Sequence, residues 1–155
     1  MAKEKQATSS DVLRLENQLC FRLYAASKEV VRRYRPHLEP LGLTYTQYIT
    51  MMALWEEESL SMKELGARLD LESSTLTPLV KKLETAGLVT RQRSTEDERS
   101  TVVGLTQAGR DLHDKALSVP ACMADDLAID TSLGLQLIDD LDELLQQLRT
   151  DNQDR

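Results

Sequence analysis

The sequence predicts a mainly α-helical chain with one small β-hairpin: a winged helix-turn-helix flanked at both ends by helices that pair it with a second copy. Three observations predict it. Two capping boxes, Thr44–Gln47 and Ser61–Glu64, mark helix starts. The short helix opening at Ser61 is separated by only a brief connection, Asp70 to Ser73 or Ser74, from a second helix that ends at Ala86-Gly87. Directly after it, the β-prone runs Leu88–Arg93 and Thr101–Leu105 flank a charged turn, Ser94–Arg99.

A chain of 155 residues holds one domain together with the elements that pair it with a copy of itself. The expected organisation is a disordered tail over 1–9, N-terminal helices over 10–60, the winged helix-turn-helix over 61–105 and dimerisation helices over 106–149. Hydrophobic residues make up 41% and charged residues 29%, which is ordinary for a soluble protein. No apolar run approaches the length that spans a bilayer, so no membrane partner is expected. The polar opening MAKEKQATSSD has no apolar core of a secretory signal. Cys20 and Cys122 match no metal-ligand spacing and no dense disulfide framework. The expectation is a cytoplasmic protein without metal or cofactor, in which a disulfide would be a transient signal.

The net charge of −7 is unevenly spread. Residues 1–60 carry eight basic and eight acidic side chains, and residues 61–99 carry seven of each. Residues 100–155 carry four against eleven, which accounts for the whole imbalance. Within 73–93, Lys81, Lys82, Arg91 and Arg93 face the single acid Glu84, so a local basic surface survives for nucleic acid.

Ser10 and Asp11 suit a helix start, and that helix is expected to run to about Tyr34, with Pro36 and Pro40 forcing a break. Leu19, Leu23, Ala26 and Val30 form one apolar stripe; Cys20, Tyr24, Ser27, Val31 and Tyr34 form its neighbour. The helix from Thr44 continues through Tyr48, Met51, Met52 and Trp55 to Glu56-Glu57-Glu58, which oppose the usual dipole preference and suggest an exposed loop. Thr106 caps a helix to about Leu117, and Pro120 is expected to break the chain again. The last helix, about Thr131 to Leu148, aligns Leu137, Leu141, Leu144 and Leu148, with Ile138 and Leu145 beside them. So apolar a terminal helix needs a partner, and a homodimer is the economical one.

In the second short helix, Leu76, Leu79, Val80 and Leu83 fall on a buried face. Ser74, Thr75, Thr77, Lys81 and Lys82 stay outside, where hydroxyls reach base edges or phosphates and lysines release counterions. A capped surface helix with solvated lysines also accounts for these residues. A start near Ser74 makes the missing N–H of Pro78 nearly harmless. In the turn, Arg99 suits a narrow minor groove, with Asp97 positioned to bond to it and Arg93 at its flank. An ordinary surface ion pair fits there too.

The run SMKELGARLDLESSTLTPLVKKLETAGLVTRQRSTEDERSTVVGLTQAGR resembles the winged-helix core of the MarR family of bacterial regulators. The resemblance implies that the helix over 74–86 enters the major groove and that Asp97 and Arg99 serve the minor groove of a pseudopalindromic operator in double-stranded DNA.

From local sequence Cys20 is a small buried hydrophobe. A helix starting near Ser10 puts it some nine residues in, beyond the reach of the helix dipole. The stretch NQLCFRLYAASKEVVRRYRPHLEPLGLTYTQYITMMALWE, however, is similar to the organic-hydroperoxide-sensing subgroup of MarR proteins. That similarity implies that Cys20 is oxidised by an organic hydroperoxide. It also implies that Tyr34 and Tyr45 bond to the sulfur, at least one of them from across the dimer, and that oxidation releases the operator. Either Cys122 or a small thiol then resolves the oxidised sulfur; Cys122, placed just after Pro120, is expected in a mobile break. Two other readings remain open at this point. One is a MarR-type repressor released by a small aromatic ligand, with Cys20 passive. The other is a thiol peroxidase, which would lack an activating cation and leave the wing unexplained; no enzyme is therefore expected.

Overall fold

The computed structural model describes residues 11–153, so the expected disordered tail over 1–9 lies outside the described residues. The described residues divide into two compact units, with the boundary between Val119 and Pro120. Among the described residues no helix is long and apolar enough to cross a membrane.

The first unit opens with two short 3-10 turns, Asp11–Leu13 and Leu15–Asn17, followed by helix α1, Leu19–Leu38. The helix expected from Ser10 therefore starts later. Side chains compete for the backbone here: Asn17 Nδ2 donates to the Asp11 carbonyl at 2.9 Å, and Gln18 Nε2 donates to those of Val12 and Arg14 at 2.6 and 3.1 Å. Gln18 is extended, and regular helix begins after it.

At its other end α1 runs through Pro36 to Leu38 rather than stopping near Tyr34. A proline three residues from the end removes one N–H, and Glu39 N–H still reaches the Arg35 carbonyl. Pro40 sits in a 3-10 turn, Glu39–Leu41, and the chain reverses at Gly42, whose φ of 69° suits a residue without Cβ.

Helix α2, Tyr45–Glu57, starts at the expected capping box: Gln47 N–H donates to Thr44 Oγ1 at 3.4 Å and Thr44 N–H to Gln47 Oε1 at 2.9 Å. Its acidic end is held from two sides. Arg68 pairs with Glu56 and, at 3.2 Å, with Glu57; Arg110 pairs with Glu58 at 2.9 Å. Glu58 itself has φ 63° and turns the chain into strand β1, Ser59–Ser61. The sequence did not announce this strand, because three residues carry no alternating pattern.

Helix α3, Met62–Leu69, carries the Ser61–Glu64 box, and Asp70 in the left-handed region ends it. Helix α4, Ser73–Thr85, starts one residue earlier than a Ser73 cap would place it and two earlier than a Ser74 cap. Glu72 is its N-cap, without a side-chain cap bond, which leaves a connection of Asp70, Leu71 and Glu72. Pro78 is consequently the sixth residue of the helix and interrupts its bond ladder. The helix ends as expected. Gly87, at φ 75°, donates to the Glu84 carbonyl and Leu88 to that of Leu83, a Schellman closure.

Strands β2, Val89–Arg93, and β3, Thr101–Leu105, make the wing hairpin. With β1 they form an antiparallel sheet in the order β1-β3-β2, Arg91 opposite Val103 and Ser59 opposite Gly104. The core lies among these elements: Met51, Leu54, Leu65, Leu76, Val80, Leu83, Val89 and Val103 are at most 1% exposed.

Thr106 caps helix α5, Gln107–Ala116, by accepting the Gly109 N–H at 3.0 Å. A Cβ on Gly109 would stand 2.1 Å from the Leu88 carbonyl oxygen, so only glycine lets α5 lie against the base of the wing.

Helix α6, Val119–Leu127, crosses into the second unit. Pro120 starts this helix instead of breaking the chain, because a proline in the first turn has no intrahelical bond to lose. Cys122 is accordingly helical rather than in a mobile break. Ala128, at φ 48°, separates α6 from α7, Thr131–Gln153, which extends past the expected Leu148.

Candidate functional site

Helix α4 presents Ser74, Thr75, Thr77, Lys81 and Lys82 as exposed side chains, while Leu76, Leu79, Val80 and Leu83 are buried. The helix periodicity sets this division, and the apolar face locks the orientation of the polar one. The N-terminal end of α4 opens into a cleft of about 740 Å³ shared with α3 and the wing. Met62, Lys63, Ser73, Thr77, Arg99 and Thr101 are among its lining residues. The structure thus brings Thr77 of the reading helix and Arg99 of the wing to one concavity. Lys63 joins them and was missed from sequence; its signal was its exposed place beside the capping box of α3.

The wing turn is tied internally. Ser94 Oγ accepts N–H groups of Glu96 and Asp97 at 3.2 and 3.3 Å, and Ser94 N–H donates to the Ser100 carbonyl at 2.8 Å. Asp97 Oδ1 accepts the backbone N–H of Arg99 at 3.0 Å. The expected Asp97–Arg99 link therefore runs to the main chain and shapes the turn. Arg93 and Arg99 are both exposed. At the base of the wing Arg91 pairs with Glu84 at 2.8 Å, and that hydrogen bond holds the Glu84 carboxyl below its ordinary range.

Cys20 is the second residue of α1 and exposed, against the expectations of a buried thiol nine residues into a helix. It lies in the first turn, where backbone N–H groups have no intrahelical acceptors and the dipole favours an anion. The later start of α1 is the reason. Cys122 is also a free, exposed thiol.

Tyr34 and Tyr45 are brought together, their ring centroids 4.9 Å apart, with Tyr48 5.8 Å from Tyr34. Burial, reinforced by the neighbouring phenols, raises the Tyr34 hydroxyl above the ordinary phenol range; burial and Tyr45 do the same for Tyr48. Both stay neutral hydrogen-bond donors well into alkaline solution. Tyr34 and Cys20 share α1 and stand fourteen positions apart (34 − 20), about 21 Å along a helix. Within one chain the tyrosine pair and the sulfur are therefore separate.

Residues 32–116 match the family model described as transcriptional regulator SarA/Rot. The organic hydroperoxide resistance transcriptional regulator of Bacillus subtilis is 46% identical over 142 residues, covering 90% of each chain. AbfR of Staphylococcus epidermidis, in its reduced form bound to DNA, superposes with a TM-score of 0.73 at 32% identity, over 91% of this chain and 99% of that one. Its disulfide form gives 0.62 at 33% identity, over 90% and 95%. The described helices, the three-stranded wing sheet and these similarities agree: the chain belongs to the MarR family of winged-helix transcriptional regulators, in its organic hydroperoxide resistance subgroup.

Proposed function

We propose that this regulator is a cytoplasmic homodimeric repressor that holds a pseudopalindromic operator until an organic hydroperoxide oxidises Cys20. The observation that carries the reading is the shared concavity of α4 and the wing. Ser74, Thr75 and Thr77 would meet base edges and phosphates in the major groove, Lys81, Lys82 and Arg93 the phosphates, and Arg99, on a turn shaped by Asp97, the minor groove. Residues 61–105 read DNA, 10–60 sense, and 106–149 join the two copies. The DNA-bound and disulfide forms of AbfR support a redox-controlled version of this design.

The sensing chemistry follows from Cys20 in the first turn of α1. Its thiolate attacks the peroxide, so that RSH and R′OOH become RSOH and R′OH. Because Tyr34, with Tyr45 packed against it, stands about 21 Å along α1 from Cys20, the phenols that bond to the sulfur come from the second copy. Cys122 of that copy, or a small thiol, then condenses with the sulfenic acid to a disulfide and water. Since the reading heads hang on the same dimer, a disulfide across it would alter their spacing from the roughly 34–36 Å that successive major grooves require.

A gel shift with the regulator's own upstream DNA, with and without an organic hydroperoxide, tests this. Release by peroxide that is absent in Cys20→Ser is expected; release that persists in that variant places the sensor elsewhere. A covalent dimer on a non-reducing gel, lost in both Cys20→Ser and Cys122→Ser, would assign Cys122 as the resolving thiol.

A second reading, release by a small aromatic ligand with Cys20 passive, draws on one feature. A groove of about 410 Å³ between α1 and α2 is lined by Val31, Leu38, Leu43 and Tyr45, with Arg35 beside them. Its test is peroxide-independent release by aromatic acids.

A further inference from the structure

Beyond the paired phenols, three tyrosines and the tryptophan form one continuous file, with the His113 ring edge-on to Trp55 at 5.5 Å. Tyr45 touches Tyr34 at 4.9 Å between centroids, Tyr34 touches Tyr48 at 5.8 Å, and Tyr48 meets Trp55 edge-on at 6.4 Å. Trp55 is the only tryptophan of the chain, and the file holds three of its four tyrosines. The fourth, Tyr24, is exposed on α1 with Lys28 over its ring. Trp55 is half-buried at one end of the file, its indole N–H donating to the Gly109 carbonyl at 2.9 Å. At the other end Tyr45 is partly open to solvent, while Tyr48 between them is 3% exposed.

Tyrosine and tryptophan are the two side chains whose rings are readily oxidised by one electron, and here they stand in van der Waals sequence. A neutral indolyl radical is a stronger oxidant than a phenoxyl radical at neutral pH, so the file has a direction.

We propose that Trp55, Tyr48, Tyr34 and Tyr45 form a one-electron relay that carries an oxidising equivalent from Trp55 to the Tyr34–Tyr45 pair. The oxidants are small radicals, of which alkoxyl radicals are the relevant class. An alkoxyl radical takes a hydrogen atom from the indole, giving an alcohol and the indolyl radical. A phenol then gives an electron to the indolyl radical and its proton to water; the indole nitrogen regains a proton from water. The result is intact Trp55 and a phenoxyl radical. Each phenoxyl radical then takes an electron from the next ring and regains a proton from water while that ring gives one up to water, so the vacancy passes from Tyr48 through Tyr34 to Tyr45, which is partly open to solvent. The relay stands whether or not Cys20 is the sensor.

Pulse radiolysis of the full chain with azidyl radical as the probe tests it. The indolyl absorption is expected to give way to phenoxyl absorption in a first-order phase whose rate is independent of protein concentration. Tyr48→Phe, which keeps the ring, should lose that phase; Tyr24→Phe should keep it. A wild-type conversion that scales with concentration, an unchanged rate in Tyr48→Phe, or loss in Tyr24→Phe overturns the relay. Should Tyr48→Phe fail to fold, spin trapping on the wild-type chain followed by peptide mass spectrometry reads the destination. Adducts at Tyr34 or Tyr45 are expected, and adducts confined to Trp55, or equally frequent at Tyr24, refute it.

Discussion

The winged core and the terminal helix α7 are both rich in leucine, yet they solve burial differently. From α2 to β3, Leu54, Leu65, Leu76, Leu83 and Val103 are at most 1% exposed, each covered by its own chain. Along α7, Leu137, Ile138, Leu141, Leu145 and Leu148 remain 40–57% exposed, and none of its described side chains through Thr150 is buried. An apolar stripe at helical period records that a face is to be buried, not which chain will bury it. The core is therefore expected to respond to substitution at any protein concentration, and α7 only through association.

Gly109→Ala should have the largest effect. The added Cβ would stand 2.1 Å from the Leu88 carbonyl, a backbone atom fixed by the Thr106 N–H bond at 3.1 Å. Overpacking of this kind costs about 1–3 kcal/mol and sometimes more. Gly66→Ala, 2.9 Å from the Leu71 carbonyl, should cost less. Denaturant melts check both. A Gly109→Ala chain as stable as wild type would mean that α5 can move off the wing without loss.

Leu141→Ala and Leu148→Ala probe the other side of the comparison. Each should remove up to about 1.5–3 kcal/mol, but from the dimer. Light scattering should show a raised dissociation constant, and melting temperature should depend more steeply on protein concentration. Equal losses at every concentration would mean that α7 is covered by its own chain.

The core was the more legible region for the same reason that it is self-sufficient. Capping boxes at Thr44 and Ser61, the Gly87 closure and the Thr106 cap are decided within a few residues, so the sequence displays them. What escaped was decided at longer range or by competing local bonds. Asn17 and Gln18 draw the helix start forward to Leu19, and that moved Cys20 from mid-helix to a first turn. Pro36 and Pro120 read as breaks, yet each sits where a helix loses little by it. Strand β1 exists only because β3 is there to pair with it. The reading face of α4 followed from periodicity alone, whereas Lys63 and the main-chain role of Asp97 needed the folded cleft.

Arg99→Ala should leave the core untouched while weakening operator binding, because an exposed turn residue carries little of the fold. About a tenfold loss of affinity is expected, within the range of single side-chain contacts to DNA. Lys81→Ala should act more uniformly across sequences and reduce the salt slope by about one. Fluorescence anisotropy at two salt concentrations distinguishes them. Undiminished affinity of Arg99→Ala at physiological salt removes the minor-groove contact.

The smallest effect concerns the link between α4 and the wing. Arg91 donates to Glu84 from Nε at 2.9 Å and from Nη2 at 2.8 Å, and these bonds lower the carboxyl's titration in the folded state. An unfolded glutamate titrates near about 4.3. With the folded value below that, the pair's contribution is present above the unfolded value and is lost as pH falls through the folded one. Glu84→Gln keeps the side-chain shape and removes the charge, so it should melt slightly below wild type near neutral pH. The gap should close as the solution is acidified below the carboxylate range. Glu64, lowered by its hydrogen bonds from Ser61, titrates in the same direction, but it does so in both proteins and cancels in the difference. A gap of constant size from neutral to acid pH would mean that Glu84 contributes by packing, and that the reading helix is joined to the wing by its apolar face alone.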